Sequence, residues 1–207
     1  MIKALDRIIY RLNDKLAPQF MNEAWFQHQR IYGLVDMVQS SDGSTIPTFY
    51  NPGTENSYGV DLRDGNFWFS VYHRCLKTQL DTGKGQGQGQ SWHSTAVSDV
   101  LAVIHFNKAK VPYTASDMAI MLNHLWDISF DANDLYISGM NKVDCHVKDV
   151  NMDMLDVYRT EYNQVTCPLG ADSALFSIKI QVLSKVDPFN NGSWTITPLS
   201  PVQDEVG

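Results

Sequence analysis

Cysteine is scarce in this chain of 207 residues: Cys75, Cys145 and Cys167 are the three present, widely spaced and odd in number. Such a set makes no disulfide framework and points to folding in a reducing compartment. Basic runs are missing as well. Lys and Arg total 16 against 23 Asp and Glu, a formal net charge of −7, and no Lys/Arg cluster offers the patch with which proteins neutralise phosphates. No stretch approaches the ~18 consecutive apolar residues of a membrane span. The opening Met1-Ile2-Lys3-Ala4-Leu5-Asp6-Arg7 mixes acid and base without the apolar run of a secretory leader. Synthesis and folding in the cytoplasm, with no membrane partner, are expected.

Catalytic spacings are equally absent. His28, His73, His93, His105, His124 and His146 form no HxH, HxxxH or HExxH pair, the spacings that put two metal ligands on one face. Cys145 and His146 are adjacent, so on a strand they point to opposite faces and cannot share an ion. Lys84 is followed by Gly85, whereas a phosphate-binding loop needs Ser or Thr there and a helix beyond it. Asp149-Val150-Asn151-Met152-Asp153 lacks the glycine and terminal glutamate of a calcium loop. No catalytic residue, metal or cofactor is expected.

Hydrophobic residues at 43% and charged ones at 19% describe a folded globular chain. Ile2, Leu5, Ile9, Leu12 and Leu16 recur at helical spacing, with Pro18 expected to close that helix. From Arg30 onward strands take over. Ile31 to Val38 and Thr45 to Tyr50 flank the turn Ser40-Ser41-Asp42-Gly43-Ser44, and Phe67 to Arg74 reads as a strand covered on both faces. Residues 81–91, rich in Gly and Gln, bury nothing and read as a flexible loop. Val97 to Phe106 is a strong strand. Pro112 then leads into a helix capped by Thr114 with Asp117 three residues on, and striped by Met118, Met121, Leu122 and Leu125. Short strands are expected near Leu135–Ile137, Val143–Val147 and, more weakly, Met154–Tyr158. Phe176, Ile178, Ile180 and Val182 alternate with Ser177, Lys179 and Gln181, the pattern of a half-buried strand with one wet face. The expected fold is α+β. An antiparallel sheet carries the N-terminal and central amphipathic helices, residues 1–184 make one domain, and residues 185–207 make an extended arm. Pro188, Pro198 and Pro201 keep that arm from regular structure, while Phe189, Trp194, Ile196 and Leu199 require something to bury them.

Aromatics beside loops and in the arm are candidate interface anchors: Trp25, Phe26, Trp92, Phe189 and Trp194, with Ile196. Intrachain packing is the other use for such rings.

The order of elements resembles the tail terminator and tail-completion family of bacteriophages. The resemblance rests on the strand of residues 98–106 with the helix of residues 113–126, and on the strand of residues 175–183. It covers about half the chain as a pattern of elements, without a short diagnostic motif. The Gly/Gln loop, residues 129–168 and the C-terminal arm are additions to the family's pattern. The resemblance implies a small antiparallel sheet with helices on one side and a homo-oligomeric ring in the neck or tail of a virion. Neighbouring virion proteins would be its partners, and DNA would pass through the lumen without specific binding. Two other classes are open: a β-rich module binding carbohydrate or peptide through its Trp and Tyr residues, and an enzyme assembled from the scattered His73, Asp99 and His105.

Overall fold

The structure, a computed structural model, describes residues 2–51, 53–62, 64–82, 94–131 and 140–186. Nine strands, four α-helices and a 3-10 turn run through them: α1 (Ile2–Asp14), α2 (Leu16–Phe20), the 3-10 turn Ala24–His28, β1 (Gln29–Leu34), β2 (Asp36–Gln39), β3 (Thr45–Asn51), β4 (Asn56–Gly59), β5 (Phe69–Thr82), β6 (Ser94–Asn107), α3 (Ala115–Trp126), β7 (Ile128–Asp131), β8 (Met140–Asn151), α4 (Met154–Tyr162) and β9 (Ser173–Val186). The fold is α+β. A six-stranded sheet in the order β1-β5-β6-β9-β8-β7 stands beside a three-stranded sheet, β2-β3-β4.

The large sheet is mixed. Its β1–β5 pair is parallel and the others are antiparallel, which corrects the expectation of a purely antiparallel sheet. The reason lies at Val35, whose N–H donates to the His73 carbonyl at 2.8 Å. That bond ends the first strand on β5 and sends the next into the small sheet, so Ile31 to Val38 is two strands in two sheets. The β2–β3 hairpin closes over Asp42-Gly43, with Gly43 at φ 83, a conformation that glycine adopts without steric cost.

The alternation in β6 and β9 places one apolar face where expected. Val100, Ala102, Ile104 and Phe106 share a buried cluster with Phe176, Ile178, Ile180 and Val182, to which α1 adds Leu5, Ile8, Ile9 and Leu12 and α3 adds Met118, Leu122 and Trp126. The opposite face is less wet than its polar residues suggest. Tyr72, Val103 and Leu175 lie in a second cluster with Val157, Tyr158 and Tyr162 of α4 and with Tyr32, Val35, Val60 and Leu62. Ser177 is buried there, while Lys179 and Gln181 remain partly exposed.

Three local expectations need correction. Pro18 does not end helical structure: α1 stops at Asp14 and α2 restarts at Leu16 with Pro18 inside its first turn, where a missing N–H leaves no intrahelical bond unmade. Met154–Tyr158 belongs to a helix, α4, because the Asp153 side chain accepts from the N–H groups of Leu155 (3.0 Å) and Asp156 (3.1 Å) and so caps two orphan donors. Asp81 and Thr82 continue β5, and Lys185 and Val186 continue β9, so the expected loop and arm begin later than drawn. The rest of the Gly/Gln loop, Leu135–Ile137 and residues 187–207 lie outside the described residues. The central helix needs no correction. Thr114 caps it in a reciprocal box with Asp117, the Thr114 hydroxyl accepting from Asp117 N–H and the Asp117 carboxylate accepting from Thr114 N–H.

Candidate functional site

On its β5 side the large sheet stands half open. On one side it pairs with β6 along nearly its whole length, from Phe69 to Thr82. On the other side β1 reaches only to His73. Among the described residues no strand follows it past Arg74, so a row of backbone donors and acceptors faces outward over the second half of β5. The edge is not flat. The register shifts between Cys75 and Lys77, a bulge of the kind that re-aims side chains and raises local twist. Cys75, Leu76, Lys77 and Gln79 are exposed, Leu76 at 41%.

Beside this edge lies a groove of about 270 Å³ whose walls include Arg74, Leu76, Leu101, Val157, Glu161 and Lys179. Its floor is a polar clasp between α4 and β5. Glu161 is fully buried, accepts from Arg74 Nη2 at 2.7 Å and from Tyr72 Oη at 3.4 Å. Burial pushes the Glu161 carboxyl above its ordinary range, and the Arg74 charge offsets this only in part. Burial also raises the Tyr72 phenol far above its usual value, with the tyrosine and carboxylate beside it adding to the effect. Further along the same face Asp99, on β6, sits 3.4 Å from both Lys77 and Lys179. Burial works to raise its carboxyl, but the Lys179 charge and hydrogen bonds from Gln181, Lys179 and Lys77 win and hold it low. One carboxylate is shared here by two ammonium groups, while Asp149 and Asp156 line the groove beside them.

A second concavity, about 590 Å³, opens between the small sheet and the end of α4. Asp42, Ile46, Asp61, Tyr158, Tyr162 and Gln164 are among its lining residues. Tyr158 and Tyr162 stack at 4.6 Å with planes 14° apart, and Tyr158 Oη donates to Gln164 Oε1 at 3.1 Å. Both rings are more than nine-tenths buried, so they form a wall and present little face to a ligand. Asn163, left-handed at φ 49, ties the rim by donating from Nδ2 to the Gly43 carbonyl at 2.9 Å.

The residues singled out from sequence fall in different places. Trp25 and Phe26 are buried at 3% and 6% exposure. They pack with Phe20, Phe69 and Tyr113 in an aromatic cluster, so the structure uses them for intrachain packing and they offer no surface for a partner. The bulk of two adjacent rings needs a core, and the 3-10 turn that carries them is folded against β5. Trp92, Phe189, Trp194 and Ile196 lie outside the described residues. His73, Asp99 and His105 are not brought together. His73 faces Trp126, its ring edge-on at 5.5 Å. Asp99 lies between its two lysines, and six residue steps along β6, about 20 Å of strand, separate it from His105. Burial lowers each of these imidazoles to about 4, the Tyr32 backbone beside His73 offsetting this only in part. Cys145 points into the core, its thiol pushed up to about 12 by burial. His146 points away from it, with Nδ1 3.1 Å from Asp127. Among the described residues no three His, Cys, Asp or Glu side chains group as metal ligands, and no helix is long and apolar enough to cross a membrane.

Sequence reasoning missed the open edge and its groove. The bulge and the early end of β1 depend on pairing between segments about 40 residues apart, which leaves no local pattern. Buried Glu161 had a faint signal as an acid in a stripe of Val157, Tyr158 and Tyr162. No protein-family model matches the sequence and no curated protein matches it, so the fold and these surfaces are what speak to its role.

Proposed function

We propose that this chain is a structural, non-catalytic subunit of a bacteriophage virion that forms a homo-oligomeric ring in the neck or tail, of the tail terminator or connector kind. The observation that carries the reading is the half-open β5 edge. For this patch the described part of the chain supplies no partner; at the other end of the sheet β7 is short and pairs only with Lys142–Cys145, so among the described residues the rest of β8 is open too, in a more acidic setting with Asp127, Asp131 and Asp144 close by. Two unlike surfaces are what a head-to-tail contact needs, and head-to-tail contacts close into rings when the rotation permits. The acidic balance of the chain suits a lumen through which DNA slides without specific binding. Neighbouring neck or tail proteins and further copies of this chain are the partners. Light scattering on the purified protein, alone and with the products of neighbouring genes, tests the reading: a closed oligomer supports it and a monomer under both conditions refutes it.

One observation favours a second reading, a carbohydrate- or peptide-binding module: the 590 Å³ concavity with Asp42, Asp61 and Gln164 on its walls. Glycan and peptide arrays with no binding that Asp61→Ala abolishes would remove it.

A further inference from the structure

The open edge of β5 has a length and an adjoining groove, and together these specify an occupant. From Arg74 to Gln79 it offers about six residues of backbone that no strand pairs on the outer side among the described residues, bulged at Cys75–Lys77. The groove beside it combines apolar walls from Leu76, Leu101 and Val157 with charges of both signs, Arg74 and Lys179 against Asp149, Asp156 and Glu161. An edge that pairs main chain, next to a pocket that takes a side chain, is the arrangement of strand addition, where backbone bonds give affinity and alternate side chains give specificity.

The chain itself contains a segment of that description. Ser193-Trp194-Thr195-Ile196-Thr197 alternates two large apolar residues with three small hydroxyl residues, bounded by Gly192 on one side and Pro198 on the other. Five residues at period two form a strand-length unit, close to the length of the open edge. The stretch after Val186 carries Asp187, Asp204 and Glu205 and no Lys or Arg, while the edge itself, outside the groove, carries the exposed Lys77. Its starting point is favourable. Val186 pairs with Ser94, and Ser94 pairs with Thr82 at the far end of β5, so residue 187 departs from the end of the sheet at which the open edge terminates. The seven residues from 187 to 193 span at most about 25 Å when extended, enough to carry residues 193–197 clear of the end of their own sheet.

We propose that residues 193–197 of one copy add as a strand to the β5 edge of the next copy, with Trp194 or Ile196 entering the groove lined by Leu76, Leu101 and Val157. This rests on the ring reading and names its contact. A covalently carried strand is present at high effective concentration once copies meet, so a short pairing suffices in a ring although it would be weak as a free peptide. The bulge gives the geometry a checkable consequence. Side chains alternate, so with Trp194 and Ile196 on the groove side Thr195 lies on the opposite face, the face of Cys75.

Cys75 is a native reporter, since it is exposed on this edge while Cys145 is buried. Two chains are prepared, both carrying Cys167→Ser: one lacks residues 187–207 and keeps Cys75, the other is full length with Cys75→Ser and Thr195→Cys. After mixing under a mild oxidant, a mixed disulfide dimer of unequal chains on a non-reducing gel is the expected result. Its loss when Leu76→Asp is introduced into the truncated chain, with circular dichroism unchanged, confirms the groove. No mixed dimer overturns the proposal. If a full-length chain holding both Cys75 and Thr195→Cys gives only the intrachain disulfide, the segment binds its own sheet and the proposal falls. Light scattering separates this from the broader reading. A chain lacking residues 187–207 that still closes into the full ring overturns the strand addition and leaves the ring standing, whereas full-length protein that stays monomeric with its virion neighbours refutes both.

Discussion

Lowering the pH from 7 to 4 places a charge on imidazoles in the unfolded chain that the folded chain refuses to charge. His73 is fully buried against Trp126, and His105 is 5% exposed between Ser70 and Leu175 on the neighbouring strands. Burial takes each from an ordinary 6.5 to about 4, the Tyr32 carbonyl near His73 offsetting this only in part. A group whose folded pKa lies below its unfolded one binds its proton preferentially in the unfolded state. The stability it contributes is therefore complete above pH 6.5 and is lost as the pH falls from 6.5 to 4. A drop of about 2.5 units is worth about 3 kcal/mol per histidine, so the pair takes away about 6 kcal/mol, a large part of a typical folding free energy of about 5–15 kcal/mol. Glu161 works against this slope. Its folded carboxyl is raised, so its ionisation costs stability as pH rises and acid relieves that cost. Asp99 is held low and keeps its contribution until the pH falls below the ordinary carboxylate value, outside the histidine window. Urea unfolding at half-unit steps from pH 7.5 to 4 measures the sum. His73→Leu and His105→Leu each remove one proton from the unfolding linkage, flattening the slope by about 1.4 kcal/mol per pH unit. A slope unchanged in both variants, or folded-state imidazole signals that titrate near 6.5 by NMR for these two residues, refutes the reasoning.

Other perturbations follow from single contacts. Arg74→Met leaves Glu161 buried without its cation at 2.7 Å and is expected to cost about 3 kcal/mol, while Arg74→Met with Glu161→Leu recovers most of it, because an unpaired buried charge is worse than an apolar pair; a double-mutant cycle by chemical denaturation reads both. Thr114→Ala and Asp153→Ala remove the caps of α3 and α4 and should each lower stability by about 1 kcal/mol, additively, since they sit on different helices. Trp25→Ala empties the cluster formed with Phe20, Phe26 and Phe69, and a loss of about 3–5 kcal/mol is expected. An interface role for Trp25 would instead leave the isolated chain's melting temperature unchanged.

Local chemistry made some of this molecule legible and pairing between distant segments hid the rest. The helix at Ala115–Trp126 was readable because Thr114, Asp117 and the Met118/Leu122 stripe all lie within one short window. The long strand Ser173–Val186 was readable because its alternation is unbroken. Met154–Tyr162 was not, since its short apolar stripe is mixed with Asp156, Arg159 and Glu161, and the decisive Asp153 cap is a single residue in an acidic run. The parallel pairing of Gln29–Leu34 with Phe69–His73 leaves no mark in either segment. For the same reason the open edge, the groove and the Arg74–Glu161 clasp, whose members are 87 residues apart, could be found only in three dimensions. Trp25 and Phe26 show the converse limit: sequence supplies two large rings beside a loop, and only packing decides whether they face the core or a partner.

The most direct test of the central claim is the mass of the full-length protein in solution by multi-angle light scattering, alone and with the products of the neighbouring genes. A closed oligomer of defined copy number, which opens to monomers on deletion of residues 187–207, is the predicted result. A monomer of 23.4 kDa under both conditions would contradict the account.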